Sequence, residues 1–199
     1  MSLIHRTTLT PTKLELLTEW LPSQPWYRGT GAPSLTKAGG FRLDDPANVV
    51  GIEFMAVADG DVLYHVPMTY RSEPVEGVPL IGTTEHGVLG HRFVYDGVHD
   101  PVLLTTLVAL FNREVQPQMQ SVNDTVDPSV STCFDGRIES AGCEAVSTTS
   151  AATDVRLNPE LVLRIRRCLA DPLPEHIGGV VATVADQSVP MMVLLRPDA

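Results

Sequence analysis

Two β-type runs joined by an Asp-Gly dipeptide constrain this chain more than any other feature. Residues 49–58 and 62–70 are rich in β-branched, aromatic and other apolar side chains, and Asp59-Gly60 between them is typical of a tight hairpin turn. Apolar residues alternate in the second run, which predicts one buried and one solvated face. Pro67 has no N–H to donate, so this strand is expected at a sheet edge, or with its proline nitrogen pointing away from a neighbour.

Helix signals stand on both sides of this hairpin. Thr10 followed by Pro11 predicts the start of a short helix, which carries leucines at helical spacing and ends before Pro22. Asp100 followed by Pro101 predicts a second helix with an apolar stripe directly after it. This second helix is expected to pack across the sheet. The glycine-rich segment between the first helix and the hairpin, residues 23–45, predicts a loop.

A polar connector separates these elements from a further set of predicted strands. Residues 116–132 are dominated by Gln, Ser, Asn, Asp, Thr and Pro, as expected of a linker. We therefore expect an α+β protein with two lobes, residues 1–115 and residues 133–199, the second smaller and mainly antiparallel β. Residues 161–169 are compatible with a strand or a helix. The predicted later strands are 88–95, 137–147, 153–157, 161–168, 180–185 and 191–196, the last two joined by a turn at 186–188.

Composition and charge exclude several classes of function. Hydrophobic residues make up 43% of the 199 residues, enough to bury a globular core. The formal net charge of −10 argues against a nucleic-acid partner, which requires clustered Lys and Arg. The one basic run, formed by Arg164, Arg166 and Arg167, is expected to be a solvated face rather than a phosphate site.

Cysteine usage and hydropathy predict a cytoplasmic protein. No apolar run approaches the roughly 20 residues that span a bilayer, and residues 1–10 lack the apolar core of a signal peptide. The three cysteines, Cys133, Cys143 and Cys168, are an odd number without CxxC spacing. They are interpreted as reduced thiols that fill the core.

Three strings in the first half carry a family resemblance. They are EWLPSQPWY from Glu19, VLYHVPMTYR from Val62 and FVYDGVHDP from Phe93. In letters, order and spacing they resemble the N-terminal cap of bacterial maltokinases and related aminoglycoside-phosphotransferase-like sugar kinases. This resemblance implies a cystatin-like cap over residues 1–115, in which a curved antiparallel sheet embraces a helix.

The second half resembles the start of that family's kinase N-lobe. VSTTSAATDVRLNPELVLRIRR, from Val146, is similar to a run of a Ser/Thr-rich nucleotide loop, a strand, a tight turn and a strand that carries the lysine touching the ATP phosphates. Arg164 stands at the lysine position, and arginine is a planar fork rather than a point charge. The resemblance implies that any ATP or sugar phosphate would bind Ser147, Thr148, Thr149, Ser150 and Arg164.

The resemblance predicts association rather than catalysis. In the family, the groups that orient the acceptor hydroxyl and hold Mg²⁺ come from a C-lobe, and no such lobe precedes Ala199. We therefore expect a noncatalytic cap-like module, with no resident cofactor, that acts with an enzyme of α-glucan, glycogen, maltose or trehalose metabolism. Two alternatives are a pseudokinase or sensor that binds a nucleotide or sugar phosphate, and one half of a split sugar kinase.

Other polar and aromatic clusters have more ordinary interpretations. Glu85-His86 with His91 suggests a metal site only weakly, because glycines interrupt the ligand spacing. His99-Asp100 is expected to be a helix cap rather than an acid–base pair. Two further sets each allow a structural and a functional interpretation. His65, Thr69 and Arg71 are expected to form a solvated sheet face or a partner interface. Trp20, Trp26 and Tyr27 are expected to close a core or to form a sugar-stacking platform.

Overall fold

The fold is α+β, and antiparallel strands hold many more of the described residues than the two short helices do. A computed structural model describes residues 9–120, 125–139 and 145–197. Within this part of the chain the strands form one continuous sheet in the order β1-β5-β6-β4-β3-β2-β11-β12-β10-β9-β8, with β7 also paired to β11. The helices are α1 (Lys13–Trp20) and α2 (Pro101–Phe111), and the strands are β1 (Leu9–Thr10), β2 (Leu35–Asp44), β3 (Gly51–Asp59), β4 (Val62–Arg71), β5 (Leu80–His86), β6 (Gly90–Asp96), β7 (Ser131–Phe134), β8 (Ala145–Thr148), β9 (Ala152–Asn158), β10 (Leu161–Arg166), β11 (Gly178–Val184) and β12 (Gln187–Leu195).

The hairpin predicted around Asp59-Gly60 is confirmed as β3 and β4. The two strands pair in register from Gly51 opposite Tyr70 to Asp59 opposite Val62. Gly60 adopts a left-handed φ of 57°, which a tight hairpin turn requires and glycine tolerates.

Pro67 lies where β4 changes its partner on one side. Residues 68–71 pair with β6, whereas the N–H of His65 donates to the carbonyl of Arg167 at 2.9 Å. Between these pairings β4 needs no donor on that side, so a proline costs no ladder hydrogen bond there. The expected edge position is wrong for the strand as a whole, since β4 lies between β3 and β6.

The same partner change closes the sheet on itself. The chain leaving β10 pairs with β4 through residues 167–169, including a bridge between Tyr64 and Cys168. At the opposite seam, β2 pairs with β11 through Gly39 and Val184. The circuit β4-β10-β12-β11-β2-β3 therefore encloses an interior, and strands from both predicted lobes line it.

The two helices lie on opposite sides of β3 and β4. Helix α2 packs in the larger core, where Leu107 and Phe111 share a cluster with Phe54 from β3 and with Leu163 and Val180 from the later strands. Helix α1 packs in a second cluster. Because both faces of β4 are covered, the solvated face that its alternation predicted does not exist.

Helix α2 begins as the sequence predicts, and α1 does not. The side chain of Asp100 accepts a hydrogen bond from the N–H of Val102, so Asp100 is the N-cap. The predicted cap Thr10 lies in β1, and α1 is instead capped by Thr12, which forms a capping box with Glu15. The signal missed was the T-x-x-E pattern two residues further along.

One segment expected to be a loop contains a long strand. Residues 35–44 form β2, although the glycines there predicted irregular structure. Gly39 and Gly40 have φ values of 151° and 121° at a register shift against β3, and a Cβ on Gly40 would lie 2.0 Å from the carbonyl oxygen of Phe54. These glycines permit a bulge in the strand rather than ending it.

The later strands follow the sequence prediction in part, although β5 and β7 are not among the predicted strands. Residues 161–166 are β10, so the helical alternative is wrong. The last turn is formed by Ala185 and Asp186, both with positive φ, rather than by residues 186–188. Residues 137–139 are not a strand, and 140–144 lie outside the described residues. Only 145–147 of the predicted strand is confirmed, as part of β8.

The cysteine interpretation is right at one position and wrong at another. Cys168 is buried, and burial raises the pKa of its thiol. Cys133 is exposed on β7, so it does not fill the core. Cys143 lies outside the described residues.

The predicted linker contributes to the sheet, because Gln118 pairs with Arg42 of β2.

Candidate functional site

The predicted nucleotide residues lie on and beside three adjacent antiparallel strands. Ser147 on β8 is opposite Asp154 on β9, which is opposite Arg164 on β10, so these three side chains share one face of the sheet. Thr148 ends β8, while Thr149 and Ser150 form the turn to β9.

Arg164 is held by its neighbour on β9. Its Nε and Nη2 atoms donate to the two carboxylate oxygens of Asp154, each at 2.7 Å. This bidentate pair raises the pKa of Arg164, an effect that the partial burial of the guanidinium opposes. The guanidinium of Arg164 is therefore already engaged with an internal anion.

A pocket of about 330 Å³ opens on this face. Ser147, Asp154 and Arg164 line it, together with apolar side chains of β10 and β12. Sequence reasoning missed three charged residues that also line it, namely Arg156, Glu175 and Arg196. Arg156 was detectable in principle, because it is two residues from Asp154 on a strand and so points to the same face.

Three of the predicted nucleotide residues do not line this pocket. The hydroxyl of Thr149 accepts hydrogen bonds from the N–H groups of Ala151 and Ala152 at 3.3 and 3.2 Å, which stabilises the β8–β9 turn. The hydroxyl of Thr148 lies 3.2 Å from that of Thr153. Ser150 is exposed in the turn, so Ser147 and Arg164 alone of the predicted set share the pocket.

The basic run does not form the solvated face that the sequence predicted. Arg166 is 5% exposed and Arg167 is fully buried. The guanidinium of Arg166 donates to the carbonyl oxygens of Leu169, Asp171 and Pro190, and burial lowers its pKa. Leu169 and Asp171 lie in the segment that directly follows β10, whereas Pro190 is 24 residues away on the paired strand β12.

Arg167 joins the second half of the chain to the first. Its Nη2 donates to Oδ2 of Asp96 at 2.5 Å and its Nε donates to Oγ1 of Thr153 at 2.9 Å. The guanidinium also lies over the ring of Trp26, 5.0 Å from the centroid. This side chain is therefore structural, and it does not belong to an anion pocket.

The supposed exposed face of the hairpin is interior. His65 and Thr69 are fully buried, and Arg71 pairs with the buried carboxylate of Asp100 at 2.7 Å. Burial, together with the charge of Arg167, lowers the pKa of His65 to about 3. Both the solvated-face and the interface interpretations of these residues are wrong.

The aromatic residues at the end of α1 and shortly after it close a core. Trp20 and Trp26 are buried and meet edge to face, with ring centroids 5.7 Å apart. Tyr27 is partly exposed, and its hydroxyl donates to Gly31 and Asp59. The core interpretation is confirmed for the two tryptophans, and with them buried the sugar platform is wrong.

Residues considered as metal ligands form an ordinary pair. His91 Nδ1 lies 2.6 Å from Oε1 of Glu85 on the surface, and Nδ1 of His86 accepts the N–H groups of Val88 and Leu89. Across residues 9–120, 125–139 and 145–197 no group of three or more His, Cys, Asp or Glu side chains is arranged to hold a metal ion.

A cluster around Glu53 is a further buried charged group that sequence reasoning missed. Its carboxylate accepts hydrogen bonds from Lys13 at 2.6 Å, Tyr70 at 2.7 Å and Gln120 at 2.9 Å. Burial alone would raise the pKa of Glu53, but Lys13 and Tyr70 bring it below its ordinary value. The cluster connects α1 to the face of β3 and β4 that lies opposite α2.

Comparison with known families gives a match for one segment of the chain. Residues 20–100 match the maltokinase N-terminal cap domain. They span the last residue of α1, strands β2 to β6 and the N-cap of α2. This segment therefore belongs to the maltokinase N-terminal cap domain family, as its sequence resemblance indicated.

A search of curated proteins found no match to the chain. Neither helix of the described residues has the length and apolar character that a membrane span requires.

Proposed function

We propose that this protein is a noncatalytic cap module that acts by association with an enzyme of α-glucan, maltose or trehalose metabolism in the cytoplasm. The observation that carries the proposal is the match of residues 20–100 to the maltokinase N-terminal cap domain. A cap accompanies a catalytic unit, so the expected partner is an enzyme. Fold-level likeness leaves the identity of that enzyme to experiment.

The state of Arg164 supports a noncatalytic role. In the resembled kinases a lysine at this position touches the ATP phosphates. In this chain Arg164 stands at that position, and its Nε and Nη2 atoms both donate to the carboxylate of Asp154. Phosphoryl transfer needs positive charge free to stabilise the transferred group, which this pairing opposes.

The two-lobe organisation is part of the same proposal. Residues 1–115 would be the cystatin-like cap, 116–132 the linker and 133–199 a degenerate kinase N-lobe. The order of β8, a Thr/Ser turn, β9, a short turn and β10 with Arg164 follows the order that the resemblance implies, which supports this assignment.

Affinity capture tests the association. The tagged chain, produced at native level in its own cells, is expected to retain an enzyme that acts on glucose polymers, maltose or trehalose. Reciprocal capture and a dissociation constant measured with the two purified proteins would establish direct contact. If the captured proteins included no such enzyme in repeated experiments, the proposal would lose its support.

A kinase assay tests the noncatalytic part separately. The purified protein is incubated with ATP, Mg²⁺ and maltose or glucose, and sugar-dependent ADP release is measured. The expected rate equals that of a mock purification. Turnover that exceeds the mock and disappears on substituting Arg164→Ala would show that the protein is a kinase after all.

A second candidate function is the binding of a nucleotide or sugar phosphate, as a sensor or pseudokinase. The observation that favours it is the pocket lined by both Ser147 and Arg164. A ligand that binds only the folded state raises the melting temperature once its concentration exceeds Kd. Melting curves with ATP, ADP, maltose and trehalose test this function, and an unchanged Tm with all four would disfavour it.

A further inference from the structure

We propose that the pocket between β9, β10 and β12 binds the phosphate group of a compact phosphomonoester through Arg156 and Arg196, while Asp154 acts as an internal competitor for Arg164. This inference rests on the second candidate function and names its ligand class and contacts. It also moves the expected phosphate contacts away from the Thr148–Ser150 turn.

The charge of the pocket is unusual for this chain. Arg156, Arg164 and Arg196 line it together with Asp154 and Glu175, so its formal charge is about +1 in a protein whose net charge is −10. Three arginines converge here out of 14 Lys and Arg residues in the whole sequence. Such a concentration favours an anionic occupant.

Two of these arginines are available to a ligand. In the part of the chain that the structure describes, Arg156 and Arg196 form no ion pair with a carboxylate. Arg156 makes one long contact, from Nη1 to the carbonyl oxygen of Pro159 at 3.4 Å. Both residues are exposed. Their side chains can therefore turn toward an anion without breaking an internal salt bridge.

Arg164 is the third arginine, and its guanidinium is already paired with the carboxylate of Asp154. The carboxylate oxygens of Asp154 lie 2.7 Å from Nε and Nη2, the bidentate geometry that a phosphate group would adopt. The pair is partly exposed, with 33% of the Arg164 side chain and 23% of the Asp154 side chain accessible. An internal carboxylate at this position lowers affinity for an external anion, because the two compete for one guanidinium.

The size and lining of the pocket limit the rest of the ligand. A volume of about 330 Å³ is at the low end of the roughly 300–1,000 Å³ usual for ligand sites, which favours a compact molecule over a nucleoside triphosphate. Val162, Leu195 and Pro174 add apolar surface beside the charges. A phosphorylated monosaccharide and a nucleoside monophosphate each meet these requirements of size, charge and apolar contact.

Calorimetric titration at low salt tests the proposal. The purified full chain is titrated with inorganic phosphate, glucose 1-phosphate and AMP, and with glucose and adenosine as phosphate-free controls. We expect binding of at least one phosphate ester and none of the controls. The stronger of the two esters identifies the source of the phosphate.

Variants identify the residues. Arg156→Gln and Arg196→Gln are each expected to weaken binding about tenfold or more, since each removes a charge-assisted hydrogen-bond donor. Arg137→Gln is the matched control, because Arg137 is exposed and does not line the pocket. Asp154→Asn is expected to strengthen binding, with Asp135→Asn as its control. Melting curves without ligand establish that each variant is folded.

The outcomes separate this inference from the function beneath it. If the wild-type protein binds a phosphate ester with an affinity that Arg156→Gln and Arg196→Gln leave unchanged, the contacts proposed here are wrong and ligand binding stands. Weaker binding by a folded Asp154→Asn variant would overturn the competitor role. If no phosphate compound binds the wild-type protein, this inference fails, and the melting curves with ATP, ADP, maltose and trehalose decide the sensor function separately. The cap association is unaffected by either result.

Discussion

A buried ion pair between Arg167 and Asp96 links the two halves of this protein. Arg167, from the chain beyond β10, pairs with Asp96 at the end of β6, and neither side chain is more than 6% exposed. A buried pair of this kind adds little net stability over an apolar replacement, but breaking it on one side is costly. We expect its main effect to be on which segments meet.

Removal of Arg167 is therefore expected to destabilise the protein strongly. Arg167→Met should lower the free energy of unfolding by about 3–5 kcal/mol, because it leaves the Asp96 carboxylate buried without its cation. Urea denaturation measures the change. The additional substitution Asp96→Asn should restore part of the loss, and the exposed control Arg137→Met should change stability by less than about 0.5 kcal/mol. An Arg167→Met variant as stable as wild type would refute this account.

His65 makes stability depend on pH. Its Nδ1 lies 3.2 Å from the carbonyl oxygen of Arg166, to which it donates, and its pKa in the folded protein is about 3 against an ordinary value of 6.5. Between these values the unfolded chain binds a proton that the folded chain excludes. His65 therefore reduces stability as pH falls below about 6.5, by up to about 1.4 kcal/mol per pH unit.

Urea midpoints at several pH values check this sign. From pH 7 to pH 5 the wild-type free energy of unfolding should fall more steeply than that of His65→Gln, which has no group to protonate. The exposed His176→Gln variant should follow wild type. Equal slopes for wild type and His65→Gln would mean that the imidazole is protonated in the folded state as readily as in the unfolded one.

At the level of elements, local chemistry decides where helices and turns begin. Asp100 accepts the N–H of Val102 at 3.0 Å and also receives two hydrogen bonds from Arg71 of β4. Burial alone would raise the pKa of Asp100, but the hydrogen bonds from Arg71 and Val102 keep it below its ordinary value. One carboxylate thus starts α2 and ties it to the sheet.

The N-cap residues of the two helices should consequently contribute different amounts to the free energy of unfolding. Asp100→Ala is expected to cost about 3 kcal/mol or more, because it removes the cap and leaves the guanidinium of Arg71 unpaired. Thr12→Ala, at the exposed cap of α1, should cost only about 1 kcal/mol. Chemical denaturation of the two variants measures the difference, and equal losses would show that Arg71 contributes nothing through Asp100.

Elements governed by neighbouring residues were predictable, and those governed by distant partners were not. The β3–β4 turn and the start of α2 follow from dipeptides whose backbone preferences are local. The alternation in β4 indicated a solvated face, yet α2 and the later strands cover that face from elsewhere in the chain. Arg167 was misread for the same reason, since its ion-pair partner is 71 residues away. In the candidate site, Ser147 and Arg164 came from the resemblance, whereas Arg156 and Arg196 required knowledge of which strands lie side by side.

At the scale of the whole molecule, closure of the sheet couples the predicted lobes. The larger core contains Phe54 and Leu107 from the first half together with Leu163 and Val180 from the second. Neither set can be exposed without opening the other. We therefore expect the chain to unfold as one cooperative unit, even if residues 1–115 and 133–199 are distinct lobes by ancestry.

A core substitution tests this coupling. Leu163→Ala should cost about 2–5 kcal/mol through lost burial and the cavity left behind. Tryptophan fluorescence reports on Trp20 and Trp26 in the first half, and far-UV circular dichroism reports on the whole sheet. In urea both signals should shift together by the same free energy, although Leu163 belongs to the second half. A fluorescence transition that stayed at the wild-type midpoint while the circular dichroism transition moved would show two independently folding lobes, because a shared interior cannot lose stability in one half alone.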